Sequence, residues 1–545
     1  MIIDNSQNGG SPVARSRVGS ASSVENTHLC DAALQSSDRM EAHLKTDHLL
    51  KDLKGRTISS GLVTAVSQAI QFVLNLGSTM ILARLLTPQD FGLVVMVTTV
   101  MGFFRIFREI GLSRATVQRD GISHAQVSNL FWINVGVSGM VSVILAFSAP
   151  IIAWFYREPR LVALTVVLST TFLLTGATAQ HMALLTRQMR FKVIALIQVG
   201  SMVAGVAVGI GMAWLECGYW SLVGMQVSTV TVTFLMTWWV SRWRPQFPKR
   251  RSGTRPLLSF GVNLAAGEFV WSIARGADSL LIGRFLGADS VGLYSRAGAL
   301  LMRPMLLLMA PIESVVLPML SRLQSQPERY RRTFLHVYEA IALVGALLTS
   351  LFLVLAHPLT LVVLGPKWEK AAVIFAAFTI ASLCYVLTTV STWLFASQGR
   401  GRESMVAIVM TSCLTVVSYL VGLPFGPVGV AIAFSLAGLV VQMPILFYMA
   451  GRHGPVTMAD QWTGFLRHVP VWAVVCGVTY LVRRLVVNSS PLMQLAICAP
   501  IGLLAGSVFT CIYAPARTVA LTLFSTLREW KRGAQDVAGI DIIHL

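Results

Sequence analysis

The chain has 545 residues, 54% of them hydrophobic and 12% charged, with a mean hydropathy of +0.67 and a net charge of +19. A soluble protein carries roughly a quarter of its residues charged and could not hide this much apolar surface. Nucleic-acid binding is excluded as the meaning of the positive charge, because the basic residues stand in short clusters between apolar runs and not on one face.

Residues 1–50 are polar, rich in Ser, Asn and His, and lack the apolar core of a cleaved signal peptide. They are expected to form a disordered tail on the cytoplasmic side. From there on, apolar runs long enough to cross ~30 Å of hydrocarbon recur to the end. About fourteen spans are expected: Thr57–Leu86, Phe91–Gly111, Val127–Phe155, Leu161–Leu185, Val193–Trp214, Trp220–Val240, Pro256–Gly283, Val291–Leu320, Phe334–Ala356, Ala371–Ala396, Ser404–Leu423, Pro427–Met449, Val469–Leu485 and Leu492–Tyr513.

Lysine and arginine set the orientation. With the N-terminus cytoplasmic, the loops and tails on that side hold Lys51, Lys54, Arg105, Arg108, Arg187, Arg190, Lys192, Arg242, Arg250, Arg251, Arg331, Arg332, Arg528 and Lys531. The opposite loops hold little beyond Arg84, Arg157, Arg160, Arg284, Lys367, Lys370, Arg483 and Arg484. That asymmetry is the positive-inside bias, and an even number of spans puts the basic C-terminus inside as well. Trp154, Phe155 and Tyr156 close the third span outside, and Trp238, Trp239 and Trp243 close the sixth inside, where amphipathic rings are expected to anchor in the headgroup layer.

The chain repeats itself. Ile81–Val94 (ILARLLTPQDFGLV) aligns without gaps to Leu281–Tyr294 (LIGRFLGADSVGLY), matching Arg84 to Arg284, Leu86 to Leu286, Gly92 to Gly292 and Leu93 to Leu293. Asp90 and Ser290 fall just before the following span, where each can cap free N–H groups. A weaker echo pairs Gly218-Tyr219-Trp220 with Gly426-Pro427-Val428. Six spans separate the copies, and an even number preserves orientation, so the expected fold is all-α with two parallel six-helix lobes around a V-shaped central cavity. Lobe boundaries are expected at residues 51–255 and 256–456, with two extra C-terminal helices and a cytoplasmic tail in 457–545.

Comparison of the copies locates the candidate site. The first span carries Gln68, Gln71, Asn75 and Ser78 on one helical face, and the seventh carries Glu268, Trp271, Arg275 and Asp278 at the matching places. One stripe is neutral and the other ionised. Arg303 lies deep in the eighth span, where the second has Phe103. An ionisable group at mid-bilayer costs about 2.5–3.5 kcal/mol and marks a wet cavity or a partner. Arg275 and Arg303 are therefore the leading substrate-binding candidates, with Asp278, Glu268, Gln68, Gln71 and Asn75 completing the set. A local pair between Arg275 and Asp278 is the competing structural account. Arg296 lies near the outer interface and can snorkel; Glu313 and Glu339 are candidates for a gate nearer the cytoplasm. Pro304, Pro311 and Pro318 recur along the eighth span and imply a bent helix. No catalytic group, metal ligand set or cofactor motif is found: the seven cysteines include no CxxC pair.

The sequence resembles the polysaccharide transporter branch of the multidrug, oligosaccharidyl-lipid and polysaccharide exporter superfamily. The resemblance lies in Arg84–Leu93 (RLLTPQDFGL), Gly111-Leu112-Ser113, Phe131–Asn134 (FWIN), Asp278–Gly287 (DSLLIGRFLG), Gly292-Leu293-Tyr294 and the prolines of the eighth span. It covers about Gly55 to Gly451 and is similar to exporters of colanic acid and other exopolysaccharides. It implies a bacterial inner-membrane protein that flips undecaprenyl-diphosphate-linked oligosaccharide to the periplasmic leaflet, with membrane lipids around it and polysaccharide polymerase or export proteins as partners. By helix position it makes Arg275 and Arg303 the groups facing the diphosphate, since guanidinium suits bidentate phosphate recognition. Two alternatives stand beside it. A cation-coupled multidrug exporter of the same superfamily typically needs an acidic residue in the first lobe, and the first span has none. A membrane polysaccharide polymerase or glycosyltransferase needs a sizeable outer loop, and none is present.

Overall fold

The structure, a computed structural model, describes residues 53–108, 116–117, 122–248 and 255–522. The expected tail of residues 1–50 lies outside them. Among the described residues the chain is helical throughout, as backbone in hydrocarbon must satisfy its N–H and C=O groups within each segment. In chain order the helices are α1 (Leu53–Leu85), α2 (Pro88–Arg108), α3 (His124–Tyr156), α4 (Leu161–Arg187), α5 (Phe191–Trp214), α6 (Trp220–Ser241), α7 (Arg255–Arg322), α8 (Pro327–Val354), α9 (Ala356–Val363), α10 (Glu369–Ser397), α11 (Gly401–Gly422), α12 (Gly426–Ala437), α13 (Met443–Gly451), α14 (Met458–Leu466), α15 (Val469–Leu485) and α16 (Pro491–Ile512).

The expected spans overlap these helices, although Phe91–Gly111 runs past the described end of α2 and Pro427–Met449 covers both α12 and α13. Ten helices among the described residues are long and apolar enough to cross a membrane, eleven with one bent pair counted as a span. The run Gly401–Gly451 and helix α7 each hold two expected spans. Inside α7 the helix is interrupted at Gly287, at φ 84° and ψ 176°, a conformation open to glycine. Along α7, Gly276 lies against Phe103 and Gly283 against Met96, both on α2, and past the kink Gly292 meets Pro88 at the start of α2.

Helices α1 and α3 to α6 form one group, with α3 on α4, α5 on α6 and α1 on α5, and α7, α8 and α10 to α13 form another, while α2 packs mainly on α7. The main junction between them is α2 along α7. Helices α15 and α16 pack on each other and on α8 and α9. Small residues let backbones approach where lipid supplies no hydrophobic drive, as Gly205 does on α5 against Thr229 and the Met225 carbonyl of α6.

The repeat reaches into the turns. Between α4 and α5, Gln188 (φ −80°, ψ 3°), Met189 (φ 52°) and Arg190 (φ −82°, ψ 52°) turn the chain. Between α10 and α11, Gln398 (φ −96°, ψ 1°), Gly399 (φ 70°) and Arg400 (φ −82°, ψ 50°) make the same turn. Gly218 and Gly426, paired in the sequence echo, also share positive φ, at 55° and 76°.

Several local expectations change. Thr87, not Asp90, caps α2: its hydroxyl oxygen accepts from the Asp90 N–H (3.3 Å), while Asp90 Oδ2 accepts from the Thr87 N–H (2.9 Å) and O–H (2.6 Å). Of the expected anchoring aromatics, Trp154 and Trp239 are exposed, but Tyr156 and Trp243 are buried core residues. Trp243 closes a cluster in which Trp238 stacks on His181 at 4.5 Å between ring centroids. Arg296 does not snorkel; its guanidinium lies 4.8 Å over the Phe91 ring. Short helix α14, absent from the expected spans, is started by a capping box of Thr457 and Asp460 and held by Arg331 on Asp460 and Arg467 on Glu339. Glu339 is thereby a structural ion-pair partner.

Candidate functional site

The two groups meet at the end of the bundle that carries Arg84. Here the repeat positions Gly92 and Gly292 cross. A Cβ on Gly92 would strike the Ala288 carbonyl, and one on Gly292 would strike the Pro88 carbonyl, so each copy's glycine receives the other copy's backbone. Such close crossings permit Cα–H···O contacts that side chains would forbid.

Side chains reach across in both directions around this seam. Arg84 Nη2 donates to the Val362 carbonyl at 3.0 Å, Trp368 Nε1 donates to the Ala83 carbonyl at 2.8 Å, and Lys367 Nζ donates to the Leu85 carbonyl at 3.3 Å. Trp368 is fully buried and sits edge-on to Phe91, with centroids 5.2 Å apart. The partner arginine of the repeat, Arg284, lies 5.8 Å from the Phe155 ring at the end of α3. Both paired arginines thus lean on the opposite group.

The opposite end is built differently. One apolar core, from Leu82 through Trp368 to Ala431, is common to both groups at the Arg84 end. Away from it the core splits into a cluster on α3, α4 and Trp243 and a separate one on α7, α8, α10 and α13. Among the described residues, the buried core is common to both groups at the Arg84 end and falls into separate clusters away from it.

The three neutral candidates share one side of α1. Gln68 is exposed, and Gln71 and Asn75 are half-buried, on the side of α1 away from the exposed Leu62, Val66 and Val73. Gln71 Nε2 donates to Ser67 Oγ at 3.0 Å and, across to α5, to Gln198 Oε1 at 3.2 Å. The Asn75 carbonyl accepts from Ser78 Oγ at 3.0 Å. Gln198 is a polar group the sequence comparison missed. Its own repeat position gives no matching polar stripe, and a lone glutamine on an apolar helix carries no signal beyond its polarity.

The ionised stripe divides. Arg275 is exposed on α7, and Asp278 is half-buried and accepts from the Ser279 N–H. Asp278 is within electrostatic reach of Arg275 and of Tyr294 and Tyr419, two buried residues of the second group. So the structure brings Arg275 and Asp278 together but turns the carboxylate toward the interior of its own group. Glu268 and Arg303 have backbone positions in α7, but their side chains lie outside the described residues. Glu313 is exposed near the far end of α7.

The family model for polysaccharide biosynthesis proteins matches residues 81–373, more than half of the chain, beginning at the first residue of the first repeat copy. Among curated relatives, the teichuronic acid biosynthesis protein TuaB of Bacillus subtilis is 28% identical over 65% of this chain and 72% of its own length. The lipopolysaccharide biosynthesis protein WzxC of Escherichia coli is 23% identical over 73% of this chain and 81% of its own. The succinoglycan biosynthesis transport protein ExoT of Rhizobium meliloti is 24% identical over 63% and 69%. Among solved structures, the lipid II flippase MurJ in an inward closed conformation superposes at a TM-score of 0.66, with 15% identity, over 84% of this chain and 98% of that one. An inward-facing multidrug resistance MATE family transporter superposes at 0.53, with 16% identity, over 74% and 94%. At these identities the two structures establish the fold.

Proposed function

Because the chain belongs to the polysaccharide biosynthesis protein family, we propose that it flips undecaprenyl-diphosphate-linked oligosaccharide from the cytoplasmic to the periplasmic leaflet of a bacterial inner membrane by alternating access. The observation that carries this reading is the asymmetry of the core among the described residues, common to both helix groups at the Arg84 end and in separate clusters away from it. Such a body opens to the opposite side if the groups rock about the middle. Relatives named for teichuronic acid, lipopolysaccharide and succinoglycan biosynthesis, one of them as a transport protein, give the cargo its class.

The lysine and arginine clusters put the Arg84 end outward and both termini in the cytoplasm. Residues 51–255 and 256–456 are the two lobes, and residues 457–545 are accessory. Arg275, with Arg303, attracts the diphosphate; the amides of α1 face the sugar; the prenyl chain stays in lipid, with polymerase or export proteins receiving the product outside. Asp278 and Glu268 hold the arginines in place. The multidrug alternative shares the fold, but α1 offers no acidic residue to bind a coupling cation.

Reporter fusions after Arg251 and after Arg331 should report cytoplasm, and fusions near Arg157 or Lys367 periplasm; a reversed pattern at two or more sites would overturn the orientation. For function, cells lacking the chain should accumulate lipid-linked repeat units inaccessible from the periplasm, and restoring it should return them to the outer leaflet. Unchanged outer-leaflet levels would refute the cargo.

A further inference from the structure

We infer that Gln198 is a sugar-recognition residue of this site, acting with Gln71 as a paired donor and acceptor for neighbouring hydroxyls of the cargo's oligosaccharide. The inference rests on the flippase reading and adds to it a residue on a different helix.

Gln198 lies on the inward face of α5. It is followed along one side of the helix by Ser201, Gly205 and Gly209, at intervals of three, four and four residues. Those three are buried, with Gly205 and Gly209 closed by Thr229 and Met225 of α6. The lipid-facing side, marked by the exposed Leu196, Val203 and Trp214, is nearly opposite. Yet Gln198 is exposed. Gln198 is thus accessible on the face of α5 that packs, in the first third of the helix and away from the Arg84 end.

The hydrogen bonding fixes which atoms remain for a ligand. Gln71 Nε2 spends its two N–H bonds on Ser67 Oγ and Gln198 Oε1. Gln71 Oε1 is then left as an acceptor and Gln198 Nε2 as a donor, side by side on two helices. A sugar hydroxyl is both donor and acceptor, so adjacent hydroxyls match this pair, whereas a diphosphate offers acceptors only. Neutral amides leave the phosphate to the arginines. A bond that served only to hold α1 on α5 would be expected in the packed part of the interface, not at its exposed margin.

The test uses full-length protein in nanodiscs and two kinds of probe: farnesyl diphosphate, and farnesyl diphosphate bearing a neutral disaccharide from a panel of hexoses and N-acetylhexosamines. Wild type should prefer at least one sugar-bearing probe. Gln198→Leu should cancel that preference, weakening the sugar-bearing probe by about five- to tenfold, the loss expected for one or two neutral hydrogen bonds. Binding of farnesyl diphosphate and the melting temperature should stay unchanged, and Gln198→Asn should recover part of the preference. Equal weakening of both probes, or lowered melting with the preference intact, would show Gln198 to be helix-joining only and would overturn the inference. A wild type that binds all probes equally would overturn it while leaving the flippase reading standing. A wild type that binds none would bring down the flippase reading itself.

Discussion

Gly92→Ala should drive the protein toward the outward-open form, and a short bifunctional thiol reagent joining Arg84→Cys to Val362→Cys should hold it closed. The added methyl group has nowhere to go, because the Ala288 carbonyl is fixed backbone on the first turn of the opposing helix arm. Overpacking of this kind costs about 1–3 kcal/mol, and the closed form alone bears it. The balance between closed and open forms should therefore move roughly 5- to 150-fold toward open. A cysteine placed at Gln71 reports the change: its labelling by a membrane-impermeant maleimide from the periplasm should rise in Gly92→Ala. In the cross-linked pair it should fall to background, and export should stop with it. Gly292→Ala, which strikes the Pro88 carbonyl, should act like Gly92→Ala. If cross-linking leaves export intact, the seam is not a gate. If Gly92→Ala reaches normal abundance without added labelling, the carbonyl contact does not hold the ends together.

The seam also explains what the sequence could and could not disclose. Gly92 and Gly292 were visible as a matched pair because a repeat aligns residues by position. That each glycine receives the other copy's carbonyl is a fact of tertiary approach, which no pattern in either copy encodes. The helices themselves were legible because a crossing needs a long apolar run, and Trp220–Ser241 or Pro491–Ile512 offers no other reading. Helix α7 was expected as two spans, and the break between them narrows to a single glycine at 287, since flanking residues stay helical up to it.

Side-chain roles were less legible. Arg296 reads as an interfacial cation from its depth, yet an aromatic face at Phe91 was available to it, supplied by a helix just over two hundred residues away. Tyr156 and Trp243 have the composition of interfacial anchors, but packing from α2, α4 and α7 covers them. Gln198 reads as a lone glutamine on an apolar helix, and its bond to Gln71 arises only where α1 approaches α5. For α14, by contrast, the signal was present and short: Thr457 followed three residues later by Asp460, the pattern of a capping box.

Arg275→Ala should abolish export while leaving membrane abundance near wild type, and Arg275→Lys should rescue only part of it. The guanidinium is exposed, so its removal creates no cavity and a ligand can reach it. A hydrogen bond to a charged group contributes about 1.5–3 kcal/mol, so affinity for the diphosphate should fall roughly 10- to 150-fold. Lysine keeps the charge but not the two-pronged geometry, hence partial rescue. The competing account is that Arg275 neutralises Asp278, which lies half-buried within its electrostatic reach. In that case Arg275→Ala strands a carboxylate in the second group, and abundance should fall with export. Neutralising both, as Arg275→Ala with Asp278→Asn, should then restore abundance and export together. Under the substrate reading the double variant folds but remains inactive. Protein level and arrival of lipid-linked oligosaccharide at the periplasmic leaflet, measured on the same cells, separate the two, and normal export from the double variant would remove Arg275 from the site.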